Sequence, residues 1–250
     1  MADTTGMFVN DFLILPGQWR PQCRWEHIAW ISPPWPSQYY LWLDLPETVF
    51  CEAGNLFLSH INFQFPSAFP DLPRVPWTVT PTGIACRRRL PNGVEFEVRI
   101  AKRDAISVAL TLEIFNGSGG PLRKLRTQTC AYLRGLKEFS ECTVLNKYVC
   151  EANGRWTLLE QCGGRCDYPE GRLALPVVVT RSNVGNRLAA MTWFEDTGPI
   201  WMNPEHPCMH ADPQFPDLAP GARHAVNGAL IFFEGSLDAF ADRFRQEAKR

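Results

Sequence analysis

Between Val94 and Ile114 the chain alternates apolar and polar residues with a period of two. Glu95, Glu97 and Arg99 separate Val94, Phe96, Val98 and Ile100, and after Lys102-Arg103-Asp104 the even positions Ile106, Val108, Leu110, Leu112 and Ile114 are apolar again. Successive side chains of a strand point to opposite faces, so this pattern describes two half-buried strands and excludes a helix. Asn92-Gly93 and Asn153-Gly154 mark further hairpins, because glycine supplies the positive φ that tight turns require. Residues 116–120 read as a turn from which 122–133 returns as a strand, with more strands expected at 156–160, 173–180, 188–194 and 225–233. A helix is expected only near 236–249, where Ser236 can cap and Leu237, Phe240, Ala241 and Phe244 share one face. Serial strands without β–α alternation predict an all-β fold, an antiparallel β-sandwich with a short C-terminal helix.

A sandwich of this kind accommodates all 250 residues, so one domain over 1–250 is expected, with an aromatic and proline-rich part at about 19–77. The formal net charge of −1 carries no footprint for nucleic acid. The run Arg87-Arg88-Arg89 beside Pro91-Asn92-Gly93 reads as a solvated hairpin end at least as well as an anion site. No stretch of about 20 apolar residues is present to span a membrane. Met1–Asn10 has no basic segment followed by an apolar core, which points to the cytoplasm, although a secreted chain whose leader had been removed would read the same. The nine scattered cysteines then read as reduced thiols. Cys162 and Cys166 lack a second regular Cys/His pair of the kind structural zinc requires.

Two regions carry candidate chemistry. In the first, Trp25, Trp30, Trp35, Tyr39, Tyr40 and Trp42 are interleaved with prolines. Aromatic faces stack on the C–H faces of sugar rings, so Trp35, Tyr39, Tyr40 and Trp42, with Trp201 further on, are candidate substrate contacts. Core packing is the competing role for each. His60, after the apolar run Leu56-Phe57-Leu58, is a further candidate acid or base. The second region is 204–217, where Pro204, Pro207, Pro213 and Pro216 frame Glu205, His206, His210, Asp212 and Asp217. Proline fixes φ and extends the residue before it, so the segment reads as a stiff loop and not as a sheet centre. His206, His210 and Asp212 are all even-numbered, so an extended backbone directs them the same way. His210 is the preferred base, with His206, Asp212 and Glu205 beside it. His206, His210 and Asp212 also form a mixed N/O set for one divalent metal ion, suited to Zn, Mn, Ni or Fe.

The segments Leu110-Thr111-Leu112-Glu113-Ile114-Phe115-Asn116, Pro121-Leu122 and Thr127-Gln128-Thr129-Cys130-Ala131-Tyr132-Leu133, followed by Cys208-Met209-His210-Ala211-Asp212, Phe215-Pro216-Asp217 and Pro220-Gly221, resemble the galactose mutarotase-like supersandwich family. The resemblance covers roughly residues 90 to 235 and implies a supersandwich fold and a sugar substrate. By position it places Cys130 where the family keeps an acid histidine and His210 where it keeps a base glutamate. A thiol with an ordinary pKa near 8.5 is a poor acid of that kind, so the resemblance does not imply standard mutarotation.

These readings converge on a carbohydrate-active enzyme that cleaves or rearranges a sugar or glycoside by His/carboxylate acid–base chemistry, with or without a metal. Hydrolysis or elimination is favoured over mutarotation. Arg126 or Arg134 is placed to hold a uronate or other anionic group. The competing class is a non-catalytic carbohydrate-binding module that uses the aromatic residues alone; an interaction protein with an aromatic groove is the third.

Overall fold

The structure, a computed structural model, describes residues 12–18, 26–37, 39–140, 144–168 and 171–247. The first strands are β1 (Ile14–Gly17), β2 (Ile28–Ile31), β3 (Leu41–Cys51), β4 (Gly54–Leu58), β5 (Thr78–Thr80), β6 (Gly83–Arg89), β7 (Val94–Lys102), β8 (Ser107–Asn116) and β9 (Arg126–Tyr132). A one-turn helix α1 (Lys137–Ser140) follows, then β10 (Lys147–Cys150), β11 (Trp156–Leu158), β12 (Arg165–Asp167), β13 (Val177–Arg181) and β14 (Arg187–Thr192). The chain ends in β15 (Thr197–Trp201), β16 (Cys208–Pro213), β17 (Arg223–Glu234) and α2 (Leu237–Glu247). Helix is thus not confined to the C-terminus: α1 is an addition to the expected pattern.

Two antiparallel sheets face each other. One has eight strands in the order β1-β2-β3-β9-β16-β15-β12, with β4 also paired to β3. The other has nine in the order β11-β10-β13-β14-β17-β8-β7-β6-β5. Between them lies a core built by alternation: Leu41, Leu43, Ala131, Met209 and Ala211 from the first sheet meet Val98, Leu110, Leu112, Met191 and Phe232 from the second. Each fully buried aliphatic or aromatic side chain there contributes about 1.5–3 kcal/mol.

The nine-stranded sheet has a second apolar surface on its outer side. Val177, Val179, Leu188, Ala190, Ala229 and Ile231 alternate with inward residues and receive Phe240, Ala241 and Phe244 of α2. Ser236 caps that helix, its Oγ accepting from the Ala239 N–H at 3.1 Å. The eight-stranded sheet turns a different kind of face outward, and the polar side chains gather there.

Three expectations are corrected. Strands β8 and β9 are not a hairpin, since they lie in different sheets. Asn116 turns the chain across the sandwich: it is fully buried, its Nδ2 donates to the carbonyls of Gly120 and Leu218, and its Oδ1 accepts from Ser118. The supposed stiff loop includes β16, a central strand paired with β9 on one side and β15 on the other. Pro207 lies just before this strand and Pro213 is its last residue, positions where a missing N–H is tolerated. In the arginine run, Arg87 is exposed and pairs with Glu95, whereas Arg88 is only 1 % exposed, lies over the Phe57 ring and donates to the Pro73 carbonyl.

Candidate functional site

Strand register aligns the outward side chains of the eight-stranded sheet in rows. Ile28, Asp44, Cys130, His210, Trp201 and Arg165 are successive cross-strand partners from β2 to β12. The adjoining row runs Trp30, Trp42, Tyr132 and Cys208. Cys130 and His210, the two positions that the resemblance aligned with an acid and a base respectively, are therefore direct cross-strand neighbours.

An irregularity in β3 adds a further carboxylate. Asp44 pairs with Cys130 and Thr48 with Gln128, so Leu45, Pro46 and Glu47 lie opposite Thr129 alone. Such a bulge re-aims side chains, and Pro46 has no N–H to give to a ladder. Glu47 is thereby brought to the outer face, its Oε2 3.8 Å from His210 Nδ1 and its Oε1 3.9 Å from His60 Nδ1. Asp44 Oδ2 lies 4.0 Å from the same His60 nitrogen and accepts a hydrogen bond from Ser59.

His210 is 1 % exposed and lies beneath Trp201, the two rings stacked at 3.6 Å and inclined by 12°. Its Nε2 is 3.2 Å from Cys208 Sγ. A hydrogen bond from Cys130 holds the Cys208 thiol well below its usual range, and the adjacent imidazole adds to that effect. Burial alone would push His210 down, but its hydrogen bond and charge interaction with Cys208, together with Glu47 and Asp212, raise it to about 9. His210 thus holds its proton near neutral pH and is shielded by an indole. This differs from the expected base, whose neutral ring would have to meet substrate. Burial pushes Glu47 up to about 7, with His210 opposing, and drives Asp44 well above the carboxylate range, with Glu47 adding to the effect.

Asp212 occupies the next outward position of β16. Its Oδ1 accepts from the Thr129 N–H at 2.9 Å and its Oδ2 from Trp201 Nε1 at 2.6 Å. Burial raises it to about 6, while His210 and the two N–H donors favour the ionised form. Asp212 also lines a cleft of about 730 Å³ with Arg126, Gln128, Arg165, Tyr168 and Trp201. The cleft joins two carboxylates, Asp212 and Asp167, with Lys124, two guanidinium groups and aromatic rings in one concavity, and Arg165 is paired with Asp167 at 2.9 Å.

The remaining candidates divide. Glu205 and His206 are exposed in the turn before β16, His206 meeting only the Tyr132 ring edge-on at 6.3 Å among the ring contacts. Among the described residues, His206, His210 and Asp212 do not bring their donor atoms within one ion's reach; the groups that do are Cys130, Cys208 and His210, and Asp44, Glu47 and His60. The metal set read from 204–217 is thus broken by the onset of β16, which separates His206 from the strand face. Trp35 is a core residue, 7 % exposed, edge-on to Phe232, with its Nε1 donating to Glu138. Tyr39 is 46 % exposed beneath Lys137, Tyr40 stacks on Trp30 at 6.1 Å, and Trp42 packs on Tyr132 at 5.8 Å. Arg134 is exposed, interacts with Tyr132 and does not line the cleft. Trp25 lies outside the described residues. The described cysteines are free thiols. No helix among the described residues is long and apolar enough to cross a membrane.

Asp44 and Glu47 were missed. Their signal was present: two carboxylates in the otherwise apolar run 41–51, flanking a proline that marks a bulge.

No protein-family model matches the chain, and no curated protein matches it. Among solved structures, the chain is similar to a galactose mutarotase related enzyme from Lactobacillus acidophilus, at 9% identity over 90% of this chain and 99% of that one, with a TM-score of 0.47. It is also similar to a candidate aldose 1-epimerase from Escherichia coli K12, at 8% identity over 90% and 100% of the two chains, with a TM-score of 0.46. A third likeness is to a polysaccharide lyase, at 12% identity over 95% of this chain and 34% of that one, with a TM-score of 0.44.

Proposed function

We propose that the outward face of the eight-stranded sheet is a carbohydrate site and that the protein is a carbohydrate-active enzyme using Asp212 as its base. The observation that carries this reading is the setting of Asp212. It lines the cleft beside Trp201 and Tyr168, and two N–H groups hold its two oxygens in the ionised form. A carboxylate tuned to about 6 is charged at neutral pH and is more basic than an ordinary aspartate. Trp201 fixes the carboxylate through its indole N–H and is itself held by the His210 ring, so His210 acts as a positioning residue. Arg126 lines the same cleft and supplies positive charge for a uronate or similar anionic sugar, whereas Arg165 there is paired with Asp167. Cleavage by hydrolysis or elimination suits this arrangement better than mutarotation, because a cationic, buried His210 and a Cys130 thiol replace that reaction's partners.

The test is turnover of a panel of neutral and uronate-containing oligosaccharides, read by reducing-end release and by ultraviolet absorbance of an unsaturated product. Asp212→Ala should lower turnover by about 10²–10⁴-fold while leaving circular dichroism unchanged. Full activity in that variant, with the fold intact, would remove Asp212 from the chemistry. The aromatic row Trp30, Trp42 and Tyr132 favours the alternative of a binding module. Saturable binding of a sugar that Trp42→Ala abolishes, with no turnover of any substrate in the wild type, would establish that alternative.

A further inference from the structure

Asp44, Glu47 and His60 form a cluster apart from the cleft, and none of them is needed for the role given to Asp212. Their donor atoms lie within 4.8 Å of one another. His60 Nδ1 is 4.0 Å from Asp44 Oδ2 and 3.9 Å from Glu47 Oε1, and Ser59 Oγ, which donates to that Asp44 oxygen, lies 3.2 Å from the same nitrogen. Both carboxylate separations are too long for a direct N–H···O hydrogen bond, which needs about 2.7–3.2 Å. The Ser59 hydroxyl links Asp44 and His60, but the Glu47 separation is short for a bridging water, whose two bonds at a near-tetrahedral angle would hold the partners about 4.6 Å apart. Two ligands bonded at about 2.1 Å to one six-coordinate ion are between about 3.0 and 4.2 Å apart, and both His60 separations fall inside that span.

A second observation is independent of that spacing. The Asp44 side chain is nine-tenths buried, and while its Oδ2 accepts from Ser59, its Oδ1 has no hydrogen-bond partner. Glu47 Oε2 is likewise buried without a hydrogen bond, as is His210 Nδ1, which lies 3.8 Å from it. A buried acceptor left unpaired costs about 1–3 kcal/mol, more when charged, and two on adjacent carboxylates are not expected without a compensating ligand. The ion-pair partners at hand are imidazoles, and the other acidic groups Glu26 and Asp212 act on the same pair. What satisfies several acceptors and cancels acidic charge at once is a cation.

We infer that Asp44, Glu47 and His60 form a binding site for one first-row divalent metal ion, held by two carboxylates and one imidazole. Such a mixed oxygen and nitrogen set suits Mn²⁺ or Zn²⁺, whereas the neighbouring Cys130, Cys208 and His210 group would prefer softer ions. Mn²⁺ is therefore the discriminating probe.

Chelator-treated protein is titrated with MnCl₂ alone, free Mn²⁺ being read by its electron paramagnetic resonance signal and binding heat by calorimetry. One saturable ion per chain is expected. Glu47→Gln and His60→Ala should each weaken binding at least tenfold, while Cys208→Ala should alter it less than twofold. Near-ultraviolet circular dichroism identifies any variant that fails to fold, and either ligand variant suffices. Absence of saturable Mn²⁺ uptake, or undiminished affinity in a folded Glu47→Gln or His60→Ala protein, would overturn the site. The readout is independent of turnover, so it stands or falls separately from the role of Asp212.

Discussion

The two sheets turn very different outer faces away from the core they share. On the nine-stranded sheet, small and branched residues of β13, β14 and β17 lie under Phe240, Ala241 and Phe244, and the chain covers this face with its own C-terminal helix. On the eight-stranded sheet, positions equivalent in the alternation hold Asp44, Cys130, His210 and Asp212, three of them buried and one half-buried. Burying ionisable groups costs several kcal/mol unless they are paired. The first face lowers the free energy of the fold; the second raises it and retains a cleft. A face that is expensive and concave is where function is expected, and a face that is inexpensive and covered is scaffold.

The largest expected effect tests the scaffold half of this contrast. Phe240 is 1 % exposed and packs against Trp156, Phe233 and Phe244 at centroid distances of 6.3, 5.8 and 5.9 Å. Phe240→Ala removes a full aromatic side chain and leaves a cavity, so it should cost about 3–5 kcal/mol in urea unfolding. Turnover per folded molecule, or Mn²⁺ affinity, should stay within twofold of wild type. A Phe240→Ala protein that unfolds like wild type but loses either property would reverse the assignment of the two faces.

The functional half predicts a stability that depends on pH. Asp212 titrates near 6 in the folded protein against an ordinary 3.8, so between about pH 4 and 6 the folded state binds more protons than the unfolded one. This group's contribution to stability is therefore fully present below about pH 4 and is lost as pH rises through 6. A shift of about two units amounts to about 3 kcal/mol. Asp212→Asn removes the titration, although one Asn oxygen cannot accept from both Trp201 and Thr129 as the carboxylate does, a pH-independent loss of about 1 kcal/mol. The stability of the variant relative to wild type should thus climb by up to about 3 kcal/mol from pH 4 to 7. Parallel curves across that range would show that the buried carboxylate carries no such cost.

The difference between the faces also explains what the sequence made visible. Strands β7 and β8 and helix α2 were legible because solvent and core impose a regular period on them. Strand β16 was not: buried on both sides, it shows no alternation, and its flanking prolines with His210 and Asp212 inside look like a loop. The outward direction of His210 and Asp212 followed from their even spacing, but the exit of His206 from that row depended on where the strand began. Glu47 required a bulge whose effect on pairing is set by β9, about eighty residues away. Cys208 gave no signal of its own, since its charge depends on Cys130 and His210 meeting it in space. Local periodicity reports an element that solvent bounds; a site built by register between distant strands leaves only scattered residues.

The smallest expected effect tests where the functional face ends. Arg126 and Arg134 stand at either end of β9, both exposed, but only Arg126 lines the cleft, whereas Arg134 interacts with Tyr132. If the cleft takes an anionic sugar, Arg126 contributes a charge-assisted contact that solvent weakens, worth about 1.4 kcal/mol or a tenfold change in KM. Arg126→Ala should raise KM for a uronate-containing oligosaccharide by about that factor at low salt, with a smaller effect at high salt and none on a neutral sugar. Arg134→Ala should leave both KM values unchanged, and both variants should unfold within about 0.5 kcal/mol of wild type, as exposed substitutions do. Equal losses from the two variants would mean that the substrate surface runs along β9 to the aromatic row of Trp42 and Tyr132. No loss from Arg126→Ala would confine recognition to the buried part of the cleft around Asp212 and Trp201.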